Sequence, residues 1–452
     1  MNVMRKETLF LAMGLAVLFS LSSSLFSEET PPAASPASAV SAPAATSSSL
    51  TWADCIRLAA QNSTDLQAAR EAVLNSDAVR RGAYSTLYPQ MRISFGDNRS
   101  YVGPGPSSTQ NYATAYQEQL SLTQTIFDGF ATKGNIEQGK AQLALAFANL
   151  NAQKAATSYS LKSSFAQLLY AQELLDISDD VIEIRKSAAL LVQRLYEGGQ
   201  EDKGAMLLSQ ANYDKSVNDL EQARRVYVLS GRQLGTAIGK ILPAPVTASG
   251  ELLTTAPPSE GPDGKQPEFD KLAVTTPAYY QQKASVDAAA AGITQATSGW
   301  YPTITAGVSG GRTGSDFPAE VNGWSAGLNA SYPIFNGGQT YFNVKAATAS
   351  FRQTLALLAS GTNQAAMTLA QSYTNFLNAR DNVRIQQEIL DANVLRYRIA
   401  EARYKNGLMT FQDFNSIVDT YVGQKKSALA ARRDAVLSEA SWEQARGLGA
   451  IP

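Results

Sequence analysis

Ile126-Phe127-Asp128-Gly129 returns as Ile334-Phe335-Asn336-Gly337-Gly338, and much else returns in step with it. At the same offset of 208 residues, Tyr196 and Gly199 answer to Tyr404 and Gly407, and Gly239 answers to Gly447. Phe to Gly is 72 residues in both copies (127 to 199, 335 to 407), and Gly to Gly is 40 in both (199 to 239, 407 to 447). An earlier mark, Tyr88-Pro89 against Tyr301-Pro302, is offset by 213, so the five-residue difference falls between the Tyr-Pro and Phe-x-Gly marks. That stretch tolerates length change as an exposed loop does. Units of about 200 residues are too long for a solenoid repeat. The chain reads as a duplicated, elongated unit.

After Gly129 there is no proline until Pro243, and after Gly337 none until Pro452. Within the second run, steps of four and three residues pick out Leu369, Tyr373, Phe376, Arg380, Val383, Gln387, Leu390, Val394, Tyr397, Glu401 and Tyr404. Eight of these eleven are apolar, the stripe of a helix packed on helices. The first copy gives Leu161, Phe165, Leu168, Gln172, Leu175, Asp179, Ile182, Lys186, Ala189, Gln193 and Tyr196 at the matching positions. An unbroken helix from Thr132 to Tyr196 would be about 100 Å long at 1.5 Å per residue. Alanine is dense along it (Ala141, Ala144, Ala146, Ala148, Ala152, Ala155, Ala156), and small residues allow helices to approach on several sides. Glycine is the expected stop at Gly199 and Gly407. Helical patterns then return over Ala205–Leu234 and Phe411–Arg446, so each copy is a long helical hairpin.

Between the Tyr-Pro and Phe-x-Gly marks the period changes to two. Ile304, Ala306 and Val308 alternate with Thr303, Thr305, Gly307 and Ser309, and Trp324, Ala326, Leu328, Ala330 and Tyr332 with Ser325, Gly327, Asn329 and Ser331. A polar, glycine-rich loop is expected from Gly310 to Gly323. In the first copy Met91, Ile93 and Phe95, then Tyr116, Leu120 and Leu122, form the apolar sets, with Glu118 interrupting the second. An apolar face backed by Ser, Thr, Asn and Gln over about 9–11 residues is the pattern of a membrane-barrel strand. Trp324 and Tyr332 stand about 26 Å apart along such a strand, near the height of an apolar band with aromatic girdles. Tyr88, Tyr116, Trp300 and Tyr301 are the other candidate interface aromatics. Four strands cannot close a barrel in lipid, where an open edge leaves backbone groups unpaired. If these strands span, several chains share one barrel.

Composition narrows the rest. Arg5 and Lys6 followed by an apolar run from Leu9 to Leu21 make residues 1–27 a signal peptide, cut within Ser20–Ser27. Residues 28–49 are a Pro/Ala/Ser/Thr leader with too little apolar area to fold. No other stretch is apolar for the ~18 residues a transmembrane helix needs. The formal charge of −1 argues against nucleic-acid binding. With no histidine and one cysteine, Cys55, the usual zinc sites, histidine-based nucleophile systems and intramolecular disulfides are excluded. No cofactor, metal site or enzymatic activity is expected.

The order of helix, strand pair, long helix, glycine turn and return helix, written twice, resembles the TolC-like outer membrane efflux protein family. The resemblance covers about Leu50 to Gly449. It rests on Leu50-Thr-Trp-Ala-Asp-Cys-Ile-Arg-Leu-Ala with Asn62-Ser-Thr-Asp-Leu66, both Tyr-Pro marks, both Phe-x-Gly marks and Tyr404-Lys-Asn-Gly407. It implies a mainly α chain with a small β part, three copies each giving four strands to a twelve-stranded barrel. A helical tunnel continues the barrel into the periplasm and docks on a membrane-fusion adaptor joined to an inner-membrane pump or ABC transporter. The family's partners are thus itself, the adaptor, the transporter and outer-membrane lipid.

On this reading residues 50–240 are the first repeat, 241–269 a linker and 270–449 the second repeat, with strands near 90–126 and 303–334. The tip turns Gly199-Gln200-Glu201-Asp202 and Gly407-Leu408-Met409-Thr410 would form the entrance and adaptor contact. The resemblance also implies a gate made by a tyrosine before the second turn and acids after it. Tyr404 and Asp413 match. The next expected acid is Ser416, the expected basic residue is Met409, and Ala205 stands where the first copy would match Asp413. The competing reading is a periplasmic or surface coiled-coil protein with a small β cap. The polar strand residues fit almost any polar cargo, so drugs, metals and secreted proteins are not told apart.

Overall fold

Each Phe-x-Gly mark is the turn where a strand becomes a long helix. In the first, Gly129 and Phe130 take left-handed backbone (φ 67° and 72°), and the Asp128 carboxylate accepts the Thr132 N–H at 2.7 Å. In the second, Gly337 and Gly338 take the same two conformations (φ 67° and 82°), and Asn336 Nδ2 donates to Thr340 Oγ1 at 2.6 Å. A computed structural model describes residues 49–102, 111–242, 246–254 and 267–451. The expected signal peptide, and the leader up to Ser48, lie outside the described residues.

The first repeat runs β1 (Leu50–Thr51), α1 (Trp52–Asn62), α2 (Thr64–Ala83), β2 (Gln90–Val102), β3 (Asn111–Phe127), α3 (Ala131–Glu197) and α4 (Lys203–Ile238). After β4 (Ala248–Ser249) come α5 (Phe269–Ala273), α6 (Pro277–Thr297), β5 (Thr303–Gly314), β6 (Val321–Ser331), α7 (Gln339–Lys405) and α8 (Phe411–Ala445). The Leu50-Thr-Trp-Ala-Asp motif is a capping box: Thr51 Oγ1 accepts the Asp54 N–H, and the Asp54 carboxylate reaches back to the Thr51 N–H. The stretch expected as a plain linker carries β4, which pairs in parallel with β1, Leu50 against Ala248. Gln172 secures it, donating to Ala248 O at 3.2 Å and accepting from Ala248 N at 2.8 Å.

Four strands form one antiparallel sheet in the order β2-β3-β5-β6. The repeats are joined at β3–β5, with Leu122 opposite Val308 and Ser121 opposite Ser309. β5 runs on to Gly314 and β6 begins at Val321, so the expected Gly310–Gly323 loop is mostly strand. Both long helices have 67 residues. Among the described residues, no helix is long and apolar enough to cross a membrane.

The small residues of α3 let neighbours close in on several sides. A Cβ on Gly139 would meet Arg80 Cα of α2 at 3.1 Å, and one on Gly134 would meet Gln295 N of α6 at 3.0 Å. The two apolar ladders are not buried alike. In α7, Leu369, Tyr373, Phe376 and Tyr404 are buried while Gln387 is exposed. In α3, Leu161, Phe165 and Leu168 are buried, but beyond them the buried line is Ser178, Val181, Arg185, Ala188 and Val192. The expected Asp179, Lys186, Gln193 and Tyr196 are exposed. One residue of slip turns a helix face by about 100°, so equal spacing in the two copies does not give equal environments.

Charge pairs fasten α8 to the first repeat along much of its length. Lys162 meets Glu443 at 3.1 Å, Arg432 meets Glu173 at 2.7 Å, Lys425 meets Asp180 at 2.7 Å, and Lys426 on α8 meets Asp219 on α4 at 3.0 Å. Nearer the tip, Arg185 bonds Asp419 and donates to Asn415 Oδ1 at 3.4 Å, and Asn212 of α4 donates to the same Asn415 oxygen at 3.1 Å. Among the described residues α7 reaches the first repeat through one side-chain hydrogen bond, from Tyr404.

Exposed ion pairs contribute little, about 0–1 kcal/mol, whereas a guanidinium left buried without a full set of acceptors costs more. Asp419→Ala, which strips a partner from the buried Arg185, is therefore expected to destabilise by about 1–3 kcal/mol. Lys425→Ala, whose partner Asp180 is exposed, should cost under about 1 kcal/mol. Thermal unfolding of the detergent-solubilised protein checks this; equal shifts would count against the buried knot.

Candidate functional site

The far ends of the hairpins bring both turns together. Glu197 ends α3, and Gly199 (φ 73°) donates its N–H to Tyr196 O at 2.9 Å while Gln200 N–H bonds Leu195 O at 2.8 Å. In the second turn Gly407 (φ 70°) bonds Tyr404 O at 3.0 Å and Leu408 N–H bonds Arg403 O at 2.9 Å. A Cβ at either glycine would meet nothing within 4 Å. Their requirement is therefore one of backbone conformation alone, with the space beyond left open. Asp202 caps α4 by accepting the Ala205 N–H at 2.8 Å, and Thr410 caps α8 by accepting the Asp413 N–H at 3.2 Å.

Tyr404 is 1% exposed and lies flat on Phe414, with ring centroids 4.5 Å apart and planes 8° from parallel. Its hydroxyl donates to Glu201 Oε1 at 2.9 Å, tying α7 to the first repeat's turn. Burial first, then the hydrogen bond and charge of Glu201, holds the phenol well above its ordinary pKa. Around this pair Val181, Val192, Ala205, Ala400, Ile417, Val418 and Val422 make a small apolar core. One level higher, Tyr397 stacks on Tyr421 at 4.9 Å, and burial pushes its phenol up to about 12.

Asp413 is not brought to Tyr404. Its carboxylate accepts from Thr410 Oγ1 at 2.7 Å at the exposed start of α8. Leu408 is exposed, and Met409 is half-buried, packed against the tip core. Sequence reasoning identified the tyrosine and set Glu201 in the facing turn, but did not pair the two, which lie 203 positions apart. It also passed over Arg185, Asn212, Asn415 and Asp419. The available signal was a lone arginine in the apolar run Val181, Arg185, Ala188, Val192.

At the opposite end, the sheet's cross-strand rows sort the aromatic candidates. Directly opposed residues share a face, so one row is Met91–Leu122–Val308–Ala326 and the next Ile93–Leu120–Gly310–Trp324. These large side chains are exposed, Trp324 by 82%. The third row is Phe95–Glu118–Arg312–Asn322. Glu118 thus lies one pleat beyond the Trp324 level and does not break the apolar band. Tyr116, higher still, packs against Phe317 at 5.9 Å. Tyr88, Trp300, Tyr301 and Tyr332 lie at the helix-facing border, all exposed. Tyr301 packs on Phe127 and Phe130, at 6.3 and 5.6 Å.

A long-helix duplicate with an apolar-faced sheet at one end is the class of an outer-membrane channel protein. The chain belongs to the outer membrane efflux protein family, whose profile matches residues 55–240 and 271–448. It is 28% identical over 324 residues to the fusaric acid resistance protein FusA of Burkholderia cepacia, a match covering 67% of this chain and 58% of that protein. Outer membrane efflux protein BepC of Brucella suis biovar 1 is 19% identical over 391 residues, covering 86% and 83%. Among solved structures, the transmembrane channel CusC superimposes with a TM-score of 0.75 at 17% identity, covering 87% and 91% of the two chains, a likeness of fold. The chain resides in the outer membrane.

The folded state holds the Tyr404 proton more tightly than the unfolded chain does. Its contribution is complete below about pH 10 and is lost as pH rises through the higher folded value. Hydrogen exchange over 195–205 and 400–414, corrected for intrinsic rate, is expected to quicken above pH 10 in the wild type. Tyr404→Phe should remove that extra pH dependence; an unchanged profile would assign it to another group. Gly407→Val should loosen the same segments by about 1–2 kcal/mol through left-handed strain, and Gly407→Asn by less.

Proposed function

We propose that three copies of this chain close a twelve-stranded barrel, continued by a helical tunnel, that serves as a passive exit duct across the outer membrane. Energy comes from an inner-membrane pump or ABC transporter, coupled through a periplasmic membrane-fusion adaptor that docks on the two tip turns. The observation that carries this is a contact the chain makes once but has the parts to make twice. Within one chain, Phe127 and Gly129 of the first repeat are covered by Ser298–Tyr301 of the second; a Cβ on Gly129 would meet Ser298 O at 2.5 Å. The matching residues of the second repeat are bare: Phe335 is 87% exposed and nothing lies within 4 Å of a Cβ on Gly337. Their counterpart cover, Ser85–Tyr88, is bare too, with Tyr88 67% exposed.

A second copy supplies what is missing. Setting β6 of one chain beside β2 of the next continues the antiparallel order and lays Phe335 against Tyr88 of the neighbour. The same step taken three times brings the sheet back on itself and leaves no edge in lipid. At the other end Tyr404, Glu201 and Phe414 hold the entrance narrow, and Asp413 adds an exposed carboxylate beside it. The likeness to a fusaric acid resistance protein favours a small-molecule cargo over a secreted protein.

Tyr88→Cys with Phe335→Cys tests the assembly. Cys55 is fully buried and its thiol is pushed up to about 11 by burial, so it does not compete. Oxidation should give covalent trimers on a non-reducing gel, and neither single variant should pass the dimer. Monomer alone from the double variant, with the protein stable in detergent-free buffer, would overturn the duct in favour of a coiled-coil protein with a β cap. In planar bilayers, Tyr404→Phe and Glu201→Gln should each raise conductance severalfold; wild-type conductance in both would remove the latch.

A further inference from the structure

The sheet's two faces differ in where they carry charge. On the apolar face Asp97, Arg99, Glu118 and Arg312 all lie beyond the Trp324 row, where headgroups and water begin. The polar face is Gln90, Arg92, Ser94, Gly96 and Asn98 on β2, and Gln117, Gln119, Ser121 and Thr123 on β3. It continues through Thr305, Gly307, Ser309, Gly311 and Thr313 on β5 and Gly323, Ser325, Gly327 and Asn329 on β6. Arg92 is the one charged side chain on this face among the described strand residues. It lies between Met91 and Ile93, inside the height of the apolar band, where a charge is tolerated only if it faces water.

Arg92's surroundings keep it free. Its row partners are Ser121, Ser309 and Ser325, three short side chains. Arg92 is exposed and makes no side-chain hydrogen bond or ion pair among the described residues. The acids at the outer turn, Asp316 and Glu320, are several pleats away. The hydroxyls of the row are occupied with one another or with the backbone: Ser309 and Ser325 bond at 2.9 Å, and Ser121 donates to Arg92 O at 3.3 Å.

We propose that Arg92, repeated once per copy around the closed barrel, forms a cationic collar that makes the outer-membrane pore select anionic cargo, small carboxylates or phosphates. This rests on the multi-copy duct proposed above. Rings of Arg or Lys are how anion pores discriminate. Twelve strands spaced ~4.8 Å and tilted ~40° enclose a circle about 24 Å across at the backbone. Charges on that wall act over about 8 Å at physiological salt and about 3 Å at 1 M. The collar therefore governs most of the lumen in the first condition and only its wall in the second.

The test is the reversal potential of single channels in planar bilayers under a KCl gradient, for wild type, Arg92→Ser and Arg92→Glu. Each is measured also with Tyr404→Ala, so that a narrow tip does not set the ratio. The chloride-to-potassium permeability ratio should fall at least threefold from wild type to Arg92→Glu, with Arg92→Ser between, and the spread should collapse at 1 M salt. Potassium salts of acetate and phosphate should reproduce the order. One ratio shared by all three variants, with ordinary conductance, would overturn the collar alone. Absence of any conductance in the wild type would overturn the duct and the collar with it.

Discussion

A strand facing lipid must find every backbone partner in protein, because hydrocarbon offers none. The sheet here meets half of that demand. β3 and β5 are paired on both sides, whereas β2 and β6 each present a free edge. Neither face of the sheet is covered by the rest of the chain: every described residue of β6 is exposed. A sheet without a core is no liability in this setting. Its apolar face requires lipid and its polar face requires water, so its stability depends on surroundings the chain does not supply. The helices, by contrast, bury apolar clusters of their own and hold the strand ends in place from below through α2, α6 and the two strand-to-helix turns.

The duplication was legible because its marks are conformational. Gly129, Gly337, Gly199 and Gly407 all take left-handed backbone, a conformation glycine adopts at the least steric cost, although Phe130 adopts it where the second copy has Gly338. The period-two strands were legible too, including which face is apolar. What could not be read was register between elements far apart in sequence. Glu118 looked like a flaw until the pairing placed it level with Arg312 and above Trp324. The ladder of α3 slipped by one residue below Ser178 because its neighbours there are α4 and α8, which no local pattern reveals. Tyr404 stood out by position, but its bond to Glu201 depends on how two hairpin ends meet.

The two repeats are alike in length and unlike in duty. Tyr196 and Tyr404 occupy matching positions, yet the first is 37% exposed and the second 1%. α3 packs against four long neighbours, its own return helix, α8, α2 and α6, and spends its small residues on those approaches. α7 has fewer close partners and, among the described residues, a single side-chain bond to the first repeat at its very end. Of the two long helices, α3 is thus fastened to the opposite repeat along its length, whereas the side-chain tie of α7 to the opposite repeat is at its tip.

The distribution of ion pairs also bears on synthesis. α8, which provides Asp419, Lys425, Lys426, Arg432 and Glu443 to the first repeat, leaves the ribosome after every element of that repeat. Until it arrives, the first hairpin carries Arg185, Lys162, Glu173 and Asp180 with their mates unmade. A nascent first repeat is thus electrostatically unfinished, and its commitment to a packed state waits on α8. Chains interrupted before α8 would leave that stripe of charges unsatisfied, and only chains that carry α8 would cover it.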